Sequence, residues 1–506
     1  MRARISSVCE KLQEAVWLAA IIAVPAFFNI YSSRVFEPDK VALMRSLAIL
    51  ILALGLIQLV ERIWPGSFGS DKPLQVTTVW ANVRRTPLLI PALVYLGVVS
   101  LTALTSIAPR ISLWGSFDRL QGAYTTFCYV VFFSVLIRRL RRWEQVERLI
   151  TLAILTSVPI SIYGILQHFE WDPLIWSQDV AERLGSNLGN PIFVAAYLSM
   201  IAPLTWLRII QAVSGRTTGG DTARGVAYAV VAVLQVLTVY WSASRGPLLG
   251  LIICALFFAL VWALLRHRRR LALATVAIGL VAVGLLAALN IPNTFLDPLK
   301  TNPYIRRLSR ILDVETNIGR ILMWQGSIEL IKPHAPLEPP TGAADALNSV
   351  RPVVGYGPES MVLAFERFYP PKLARFEGRD SSPDRAHNET FDRIISGGFL
   401  GLLAYLLLFG AVIYLGLERI GFVPDSHWRS LFFGLFAVGA VVGAGGALLS
   451  RPEYMGLGLP LGTILGAGAY LLIVARGTQD VRQVTIDERQ ALLVTALNGC
   501  TGRALC

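Results

Sequence analysis

Twelve stretches of about 20 mostly apolar residues run through the chain, and they restrict its fold more than any other feature. A helix needs about this length to cross a bilayer, because its backbone polar groups must be satisfied within the segment. We therefore predict an all-α integral membrane protein with about twelve transmembrane helices. The predicted spans lie near 14–32, 41–60, 88–106, 121–137, 149–167, 191–211, 226–242, 246–265, 271–289, 395–417, 430–449 and 455–475.

The composition excludes several other classes of protein. Of the 506 residues, 54% are hydrophobic and 16% are charged, whereas soluble domains average about 25% charged residues. A soluble enzyme, a disordered protein and a disulfide scaffold are therefore poor interpretations. The net charge of +13 would suit nucleic-acid binding, but the positive charge follows membrane topology, so we expect no nucleic-acid partner. The five cysteines do not have metal-ligand spacing, and neither a zinc site nor a structural disulfide is expected.

The distribution of basic residues predicts the orientation of the helices. With the N-terminus inside, the inner segments hold 25 of the 46 Lys and Arg residues and the short outer loops hold 7. Basic residues concentrate on the cytoplasmic side, so we expect both termini to be cytoplasmic. We also expect the protein to lie in the inner (plasma) membrane. Helices one to nine then occupy 1–289, an extracytoplasmic loop 290–394, helices ten to twelve 395–475, and a cytoplasmic tail 476–506.

The long loop carries helical signals of its own. A connection of this length is usually functional or disordered. Thr316 and Asn317 precede an apolar pattern that begins at Ile318 and ends before Pro333, which predicts a helix. Asn388 is suited to cap a helix that continues into the tenth span. Residues 336–350 have the composition of a flexible insertion.

Arginines near the predicted outer face are the first candidates for function, because ionisable groups at membrane depth are costly. A guanidinium binds phosphate oxygens through a planar fork, so several arginines around one cavity suggest a polyanion such as pyrophosphate. In Ser244-Arg245-Gly246-Pro247 the start of a helix would add backbone donors. The alternative for each arginine is a side chain that reaches the interface or balances a nearby charge. The candidates are Arg45, Arg119, Arg183, Arg245 and Arg320.

His387 is the candidate general base, because a neutral imidazole accepts a proton at ordinary pH. Asp384 and Glu389 could orient its ring, although all three could also be solvated loop residues. His334 lies among prolines and is interpreted as structural. Trp324 could stack on a sugar, but an interfacial anchor is favoured. No nucleotide-binding loop, metal-binding motif or nucleophile elbow is present in the sequence, so we expect no metal and no cofactor.

These motifs occur in an order that resembles the O-antigen ligase superfamily. This group also contains O-antigen polymerases and bacterial protein O-oligosaccharyltransferases. The resemblance extends over about residues 35–420 and includes one large outer loop after the ninth helix. The motifs that carry it are Arg183 with Gly189-Asn190-Pro191, Ser244-Arg245-Gly246, Gly319-Arg320 with Trp324, Gly355-Tyr356-Gly357, and Ala386-His387-Asn388.

The resemblance implies a metal-independent membrane glycosyltransferase of GT-C architecture. Such an enzyme takes a glycan from an undecaprenyl-pyrophosphate carrier and joins it to an acceptor hydroxyl, with inversion at the sugar. By the same resemblance, Arg245 and Arg320 engage the donor pyrophosphate and His387 is the base. Arg183, Arg119 and Arg45 are expected to assist in pyrophosphate binding. The expected partners are the lipid-linked donor, a lipid, glycan or protein acceptor, and membrane lipids.

Other functions remain open from the sequence. A polymerase or a protein O-oligosaccharyltransferase would share these motifs, but a single long outer loop favours a ligase-like role. Twelve spans would also suit a secondary transporter or a flippase for lipid-linked glycans. Transporters commonly show inverted repeats and place ionisable groups near the bilayer midplane. Here the candidate residues are predicted at the outer face, which disfavours transport.

Overall fold

A computed structural model describes residues 2–31, 36–63, 81, 83–84, 86–174, 176, 179–214, 219–266, 268–292, 294–311, 313–338, 344–377 and 382–476. Within these ranges the chain forms helices and turns, and no β-strand occurs. The predicted tail from 476 onward lies outside the described residues, apart from its first residue. The fold class is therefore the all-helical one that the sequence predicts.

The α-helices follow one another with mostly short connections. They are α1 (Arg2–Ala26), α2 (Glu37–Ile63), α3 (Leu89–Leu104), α4 (Pro109–Trp114), α5 (Ala123–Arg139), α6 (Trp143–His168), α7 (Pro191–Ser214), α8 (Gly219–Trp241), α9 (Arg245–Leu265), α10 (Arg269–Leu289), α11 (Pro303–Leu308), α12 (Val314–Ile331), α13 (Arg351–Val354), α14 (Met361–Phe365), α15 (Glu389–Arg419), α16 (Ser426–Ser450) and α17 (Met455–Arg476).

Helices occupy all twelve positions at which the sequence predicts a span. Among the described residues, nine helices are long and apolar enough to cross a membrane. They are α2, α6, α7, α8, α9, α10, α15, α16 and, together with the turn before it, α17. The chain is thus a multi-pass membrane protein. The count of twelve spans, the GT-C architecture and the placement of the loop stay predictions.

The predicted end of the first span, 14–32, is wrong, because the helix stops before residue 32. Helix α1 begins at Arg2 and ends at Ala26. Lys40 explains the early end, because its Nζ donates to the carbonyls of Val24 (3.4 Å), Pro25 (2.8 Å) and Phe27. A cation at the C-terminal carbonyls of a helix satisfies groups that have no partner within the helix.

The chain divides into two compact units, each assembled from separate stretches of sequence. Unit 1 contains α1 to α5, the first half of α6, all of α13, α14 without its last residue, and the middle of α15. In its core, Trp17 and Ile51 join α1 to α2, while Met44, Ala48 and Cys128 join α2 to α5. The division is Met1–Thr156, Pro333–Ala364 and Arg393–Leu408 for unit 1, and Ser157–Lys332, Phe365–Asp392 and Phe409–Cys506 for unit 2.

In unit 1, the turn Gly355-Tyr356-Gly357 is docked on a break in α15. Gly398 has a φ of 63° and a ψ of −166° inside that helix. The N–H groups of Tyr356 and Gly357 donate to the carbonyls of Ile395 (2.8 Å) and Ser396 (2.9 Å), just before the break. Because buried backbone groups need partners, the turn and the break complement each other.

A buried ion pair lies beside this turn. Arg351 contacts Asp345 through two hydrogen bonds of 2.7 Å, and its side chain is only 3% exposed. Arg351 also donates to the carbonyls of Thr105 (2.7 Å) and Gly355 (2.9 Å). Burial alone would raise the pKa of Asp345, but the hydrogen bonds and charge of Arg351 hold it below its usual value.

Within the predicted flexible insertion at 336–350, residues 339–343 lie outside the described residues, and that prediction stays open for them. In the described part of that segment, the N–H of Asp345 donates to the carbonyl of Leu337 at 2.8 Å, which closes a loop. Leu337 is buried. The described residues on either side of 339–343 are therefore linked to each other, and Asp345 belongs to the buried ion pair with Arg351.

Unit 2 has a core around α7, α8 and α9, formed by Leu184, Val194, Leu198, Val239 and Leu251. In the same unit, α16 and α17 approach each other through glycines. A Cβ atom on Gly443 would lie 2.0 Å from the carbonyl oxygen of Gly458, and one on Gly439 would lie 2.1 Å from that of Gly462. Small residues allow this close packing of membrane helices.

Candidate functional site

A three-residue turn in unit 2 presents Arg245. Helix α8 ends at Trp241 and α9 begins at Arg245 itself. Ala243 adopts a left-handed conformation with a φ of 50°, and the Ser244 N–H donates to Ser242 Oγ at 3.2 Å. Arg245 is half-buried, and its Nη1 donates to the carbonyl of Arg310 at 3.1 Å. The short connection implied by the predicted spans 226–242 and 246–265 is confirmed, with Arg245 as the first helical residue.

Five arginines from distant parts of the sequence lie near one another in unit 2. Arg245 interacts electrostatically with three other arginines and with Asp313. Arg183 interacts with two of the same arginines and with Glu182. We call this group the arginine cluster, and its members are Arg183, Arg245, Arg307, Arg310 and Arg320.

The arginine cluster has more positive charge than its acidic neighbours balance. Burial lowers the pKa of Arg183, and the charges of Arg307 and Arg320 lower it further against the opposing effect of Glu182. Glu182 is already paired with Arg307 at 2.6 Å. Arg183 Nε is buried and has no hydrogen-bond partner among the described residues. Crowded guanidinium groups with unused donors are suited to bind a polyanion.

Arg307 and Arg310 are cluster members that the sequence reasoning missed. Their short segment was not connected to Arg245 by any motif, although its run Arg306-Arg307-Leu308-Ser309-Arg310 was a visible signal. The amide of Asn317 holds this segment, because it donates to the carbonyls of Asp313 (2.7 Å), Ile311 (3.0 Å) and Arg310 (3.3 Å).

Helix α12 carries Arg320 and differs from its predicted form. It begins at Val314, one turn before the expected start at Ile318, so Asn317 lies inside it. Arg320 is exposed, whereas Ile321, Leu322 and Met323 are buried. The helix is thus packed within unit 2, with the Arg320 side chain exposed.

Trp324 is neither a sugar platform nor an interfacial anchor. Its side chain is 7% exposed, and its Nε1 donates to the carbonyl of Ala386 at 2.9 Å. Its ring also stacks on Phe391, with centroids 6.2 Å apart. Because Arg320 and Trp324 are four residues apart on one helix, they lie on the same face of α12. This tryptophan therefore links the helix of Arg320 to the residue before His387.

His387 is exposed and has a φ of 51°. Its two neighbours are held firmly. Ala386 is fully buried, and its N–H donates to Asp392 Oδ1 at 2.8 Å. Asn388 caps α15 as predicted, because its side-chain oxygen accepts from the N–H groups of Thr390 and Phe391. Residues other than glycine rarely adopt the left-handed conformation, and those that do are often found at functional sites.

Asp392 contacts this loop through a carboxylate that the sequence reasoning missed. It lies in the first turn of α15, where negative charge is favourable. The predicted cap at Asn388 marks this turn, so it could have pointed to Asp392. The roles proposed for Asp384 and Glu389 in orienting His387 stay predictions. His334 lies in unit 1, where its Nε2 is 2.8 Å from the hydroxyl of Tyr356, in keeping with the structural interpretation.

Arg45 and Arg119 belong to unit 1 and have partners there. Arg45 donates to Thr125 Oγ1 (2.8 Å) and to the carbonyls of Trp114 (2.5 Å) and Leu120 (2.7 Å). Arg119 is paired with Glu37 at 3.3 Å. These contacts favour the structural alternative for both residues, and we leave them out of the proposed binding site.

The comparison with known families agrees with the central motifs. Residues 230–406 match a family described as O-antigen ligase, which confirms the resemblance to the O-antigen ligase superfamily. The match contains Arg245, Arg320 and His387, whereas Arg183 lies before it. No curated protein matches the chain. Among the described residues, no group of three or more His, Cys, Asp or Glu residues could hold a metal.

Proposed function

We propose that this multi-pass membrane protein, whose residues 230–406 match the O-antigen ligase family, transfers a glycan from a lipid carrier to an acceptor hydroxyl. The proposed donor is an undecaprenyl-pyrophosphate-linked glycan at the outer leaflet. The observation that carries the proposal is the arginine cluster in the same unit as His387. A cluster of permanent cations in the same unit as a potential base suits a reaction with a pyrophosphate leaving group.

The arginine cluster is suited to stabilise the negative charge that develops on the pyrophosphate during the reaction. When the sugar leaves the pyrophosphate, the bridging oxygen keeps the bonding electron pair and the pyrophosphate gains negative charge. Fixed guanidinium groups stabilise charge that develops in the transition state without reorganising. Arg245 and Arg320 are assigned to the pyrophosphate, and Arg183 is a further donor.

His387 is assigned as the general base. The acceptor hydroxyl attacks the anomeric carbon, a new carbon–oxygen bond forms, and the bond to the pyrophosphate breaks. The proton of the hydroxyl passes to the imidazole of His387. A single displacement needs no carboxylate nucleophile and inverts the anomeric centre. A positioned general base typically contributes about 10²- to 10⁴-fold to the rate.

The test uses purified protein in nanodiscs with an undecaprenyl-pyrophosphate oligosaccharide and candidate acceptors. Mass spectrometry follows glycan release and transfer, in the presence of EDTA. We expect His387→Ala to bind the donor but to lose at least 100-fold in transfer rate. Arg245→Ala should lose both donor affinity and turnover, and Arg245→Lys should recover little because it lacks the planar fork.

The matched control is His427→Gln, which changes a histidine at the start of α16. It should transfer glycan at the rate of the unchanged protein. Full activity of His387→Ala would refute the assignment of the base, and loss of activity in EDTA would refute metal independence. Donor movement across sealed vesicles without any transfer would support the transporter instead.

A further inference from the structure

Three contacts converge on the residues that flank His387. Trp324 from α12 holds the carbonyl of Ala386, and Asp392 from α15 holds its N–H. On the other side, the Asn388 amide donates to the carbonyl of Gly456 at the start of α17, at 2.9 Å. The peptide groups around the histidine are thus fixed from three helices, while the histidine itself is exposed.

Each contact is specific to the residue that makes it. The indole N–H is the only hydrogen-bond donor of the Trp324 side chain, and it is used on Ala386. Gly456 accommodates Asn388, because a Cβ atom there would lie 2.5 Å from Asn388 Oδ1. Gln325 of α12 donates to Glu453 at 3.2 Å. Glu453 lies in the turn just before Gly456, so this contact links that turn to the helix that carries Arg320.

We propose that Trp324, Asp392 and Gly456 are positioning residues that hold His387 in its left-handed conformation and set its placement relative to Arg320. We call the three contacts the histidine clamp. This inference rests on the proposed function, because it concerns the base of the same reaction. Each residue acts through His387 and has no role on the donor itself.

The conformation of His387 makes such a clamp necessary. A φ of 51° is unfavourable for a residue with a side chain, and it persists only where the surroundings impose it. When one contact is removed, the loop should relax and the imidazole should leave its reactive position more often. Small errors in the placement of a catalytic group lower turnover strongly and leave substrate affinity unchanged.

The first test replaces Trp324 with Phe, which removes the N–H but keeps an aromatic ring against Phe391. We expect kcat to fall about 3- to 10-fold with an unchanged KM for the donor, as for the loss of one hydrogen bond. The matched control is Trp428→Phe, in α16, which should leave kcat unchanged. Asp392→Ala should lower kcat about 10- to 100-fold, and Asp392→Asn should lose less because it keeps an oxygen acceptor.

A double-mutant cycle separates positioning from general stability. In a His387→Ala background, Trp324→Phe should have no further effect on the residual rate, because the residue acts through the missing imidazole. An equal fall of the rate in both backgrounds would overturn the proposal. So would a raised donor KM with unchanged kcat, or wild-type kinetics of both Trp324→Phe and Asp392→Ala.

The two proposals can fail separately. If His387→Ala is fully active, the proposed base is wrong, and the histidine clamp is overturned with it. If His387→Ala is inactive while the clamp variants behave like the unchanged protein, only the clamp is overturned. A fall in kcat that is confined to the background with His387 supports both.

Discussion

Gly398 gives the most direct test of the break in α15. Replacing it with Ala places a side chain at a φ of 63° and a ψ of −166°, a backbone region that only glycine populates readily. The strain of a residue other than glycine in this region costs about 1–3 kcal/mol. The new Cβ would also lie 2.1 Å from the carbonyl oxygen of Val353 and 2.2 Å from its carbon. Overpacking of this kind costs about 1–3 kcal/mol more.

The expected total for Gly398→Ala is therefore about 2–6 kcal/mol of unfolding free energy. For a unit of roughly 200 residues this corresponds to a fall of about 5–20 °C in Tm. The assay heats the detergent-solubilised protein and measures the fraction that remains monodisperse in fluorescence-detected size-exclusion chromatography. Transfer activity, measured in parallel, should fall with the loss of folded protein.

The neighbouring glycine is the matched control. A Cβ on Gly397 would meet no atom within 4 Å, and its φ is not in the positive range. Gly397→Ala should leave Tm unchanged or raise it slightly, because alanine restricts the unfolded chain by about 0.4–1 kcal/mol. Equal shifts of Tm for the two variants would show that neither the positive φ of Gly398 nor the contact with Val353 makes this position specific for glycine.

Three further predictions concern other contacts. Asp345→Asn should lower Tm at pH 7 and make Tm depend less on pH. Folding lowers the pKa of Asp345, so the carboxylate stabilises the protein fully above the unfolded pKa of about 3.9 and loses this effect as the pH falls through the lower folded pKa. Parallel curves of Tm against pH for the two proteins between pH 7 and 3 would contradict this. Gly443→Ala should destabilise the α16–α17 pair by about 1–3 kcal/mol. Gly446→Ala should not, because its Cβ would meet no atom within 4 Å, and the Tm of each variant distinguishes the two cases. Arg45→Ala should increase proteolysis of the connection between α4 and α5 by removing its three hydrogen bonds, and cleavage no faster than in Arg110→Ala would refute this role.

The positions of the long helices were predictable because hydropathy is a local property of the sequence. The same holds for the cap at Asn388 and for the turn before Arg245, whose signals lie within a few residues. The end of α1 was not predictable in this way. It depends on Lys40, which reaches back from the next helix to the carbonyls at the end of α1.

The candidate site was predictable only where a motif marked it. Arg245 and His387 were found from their immediate neighbours, whereas Arg307 joins the cluster by folding across more than 60 residues. Trp324 was misinterpreted because its partner, Ala386, is 62 residues away. A membrane-surface role is the usual one for a tryptophan in an amphipathic helix, and only the tertiary contact shows that this one is buried.

The docking of Gly355-Tyr356-Gly357 on α15 has a consequence for protein engineering. A chimera that exchanges only residues 333–364 would have to reproduce the backbone donors for Ile395 and Ser396. It would also have to keep the carbonyls that receive Ser106 and Ser112, which donate to Tyr356 and Pro358 at 2.7 Å each. The transplantable module is therefore 333–364 together with 105–116 and 393–408, and successful grafts between relatives should exchange these three stretches as a set.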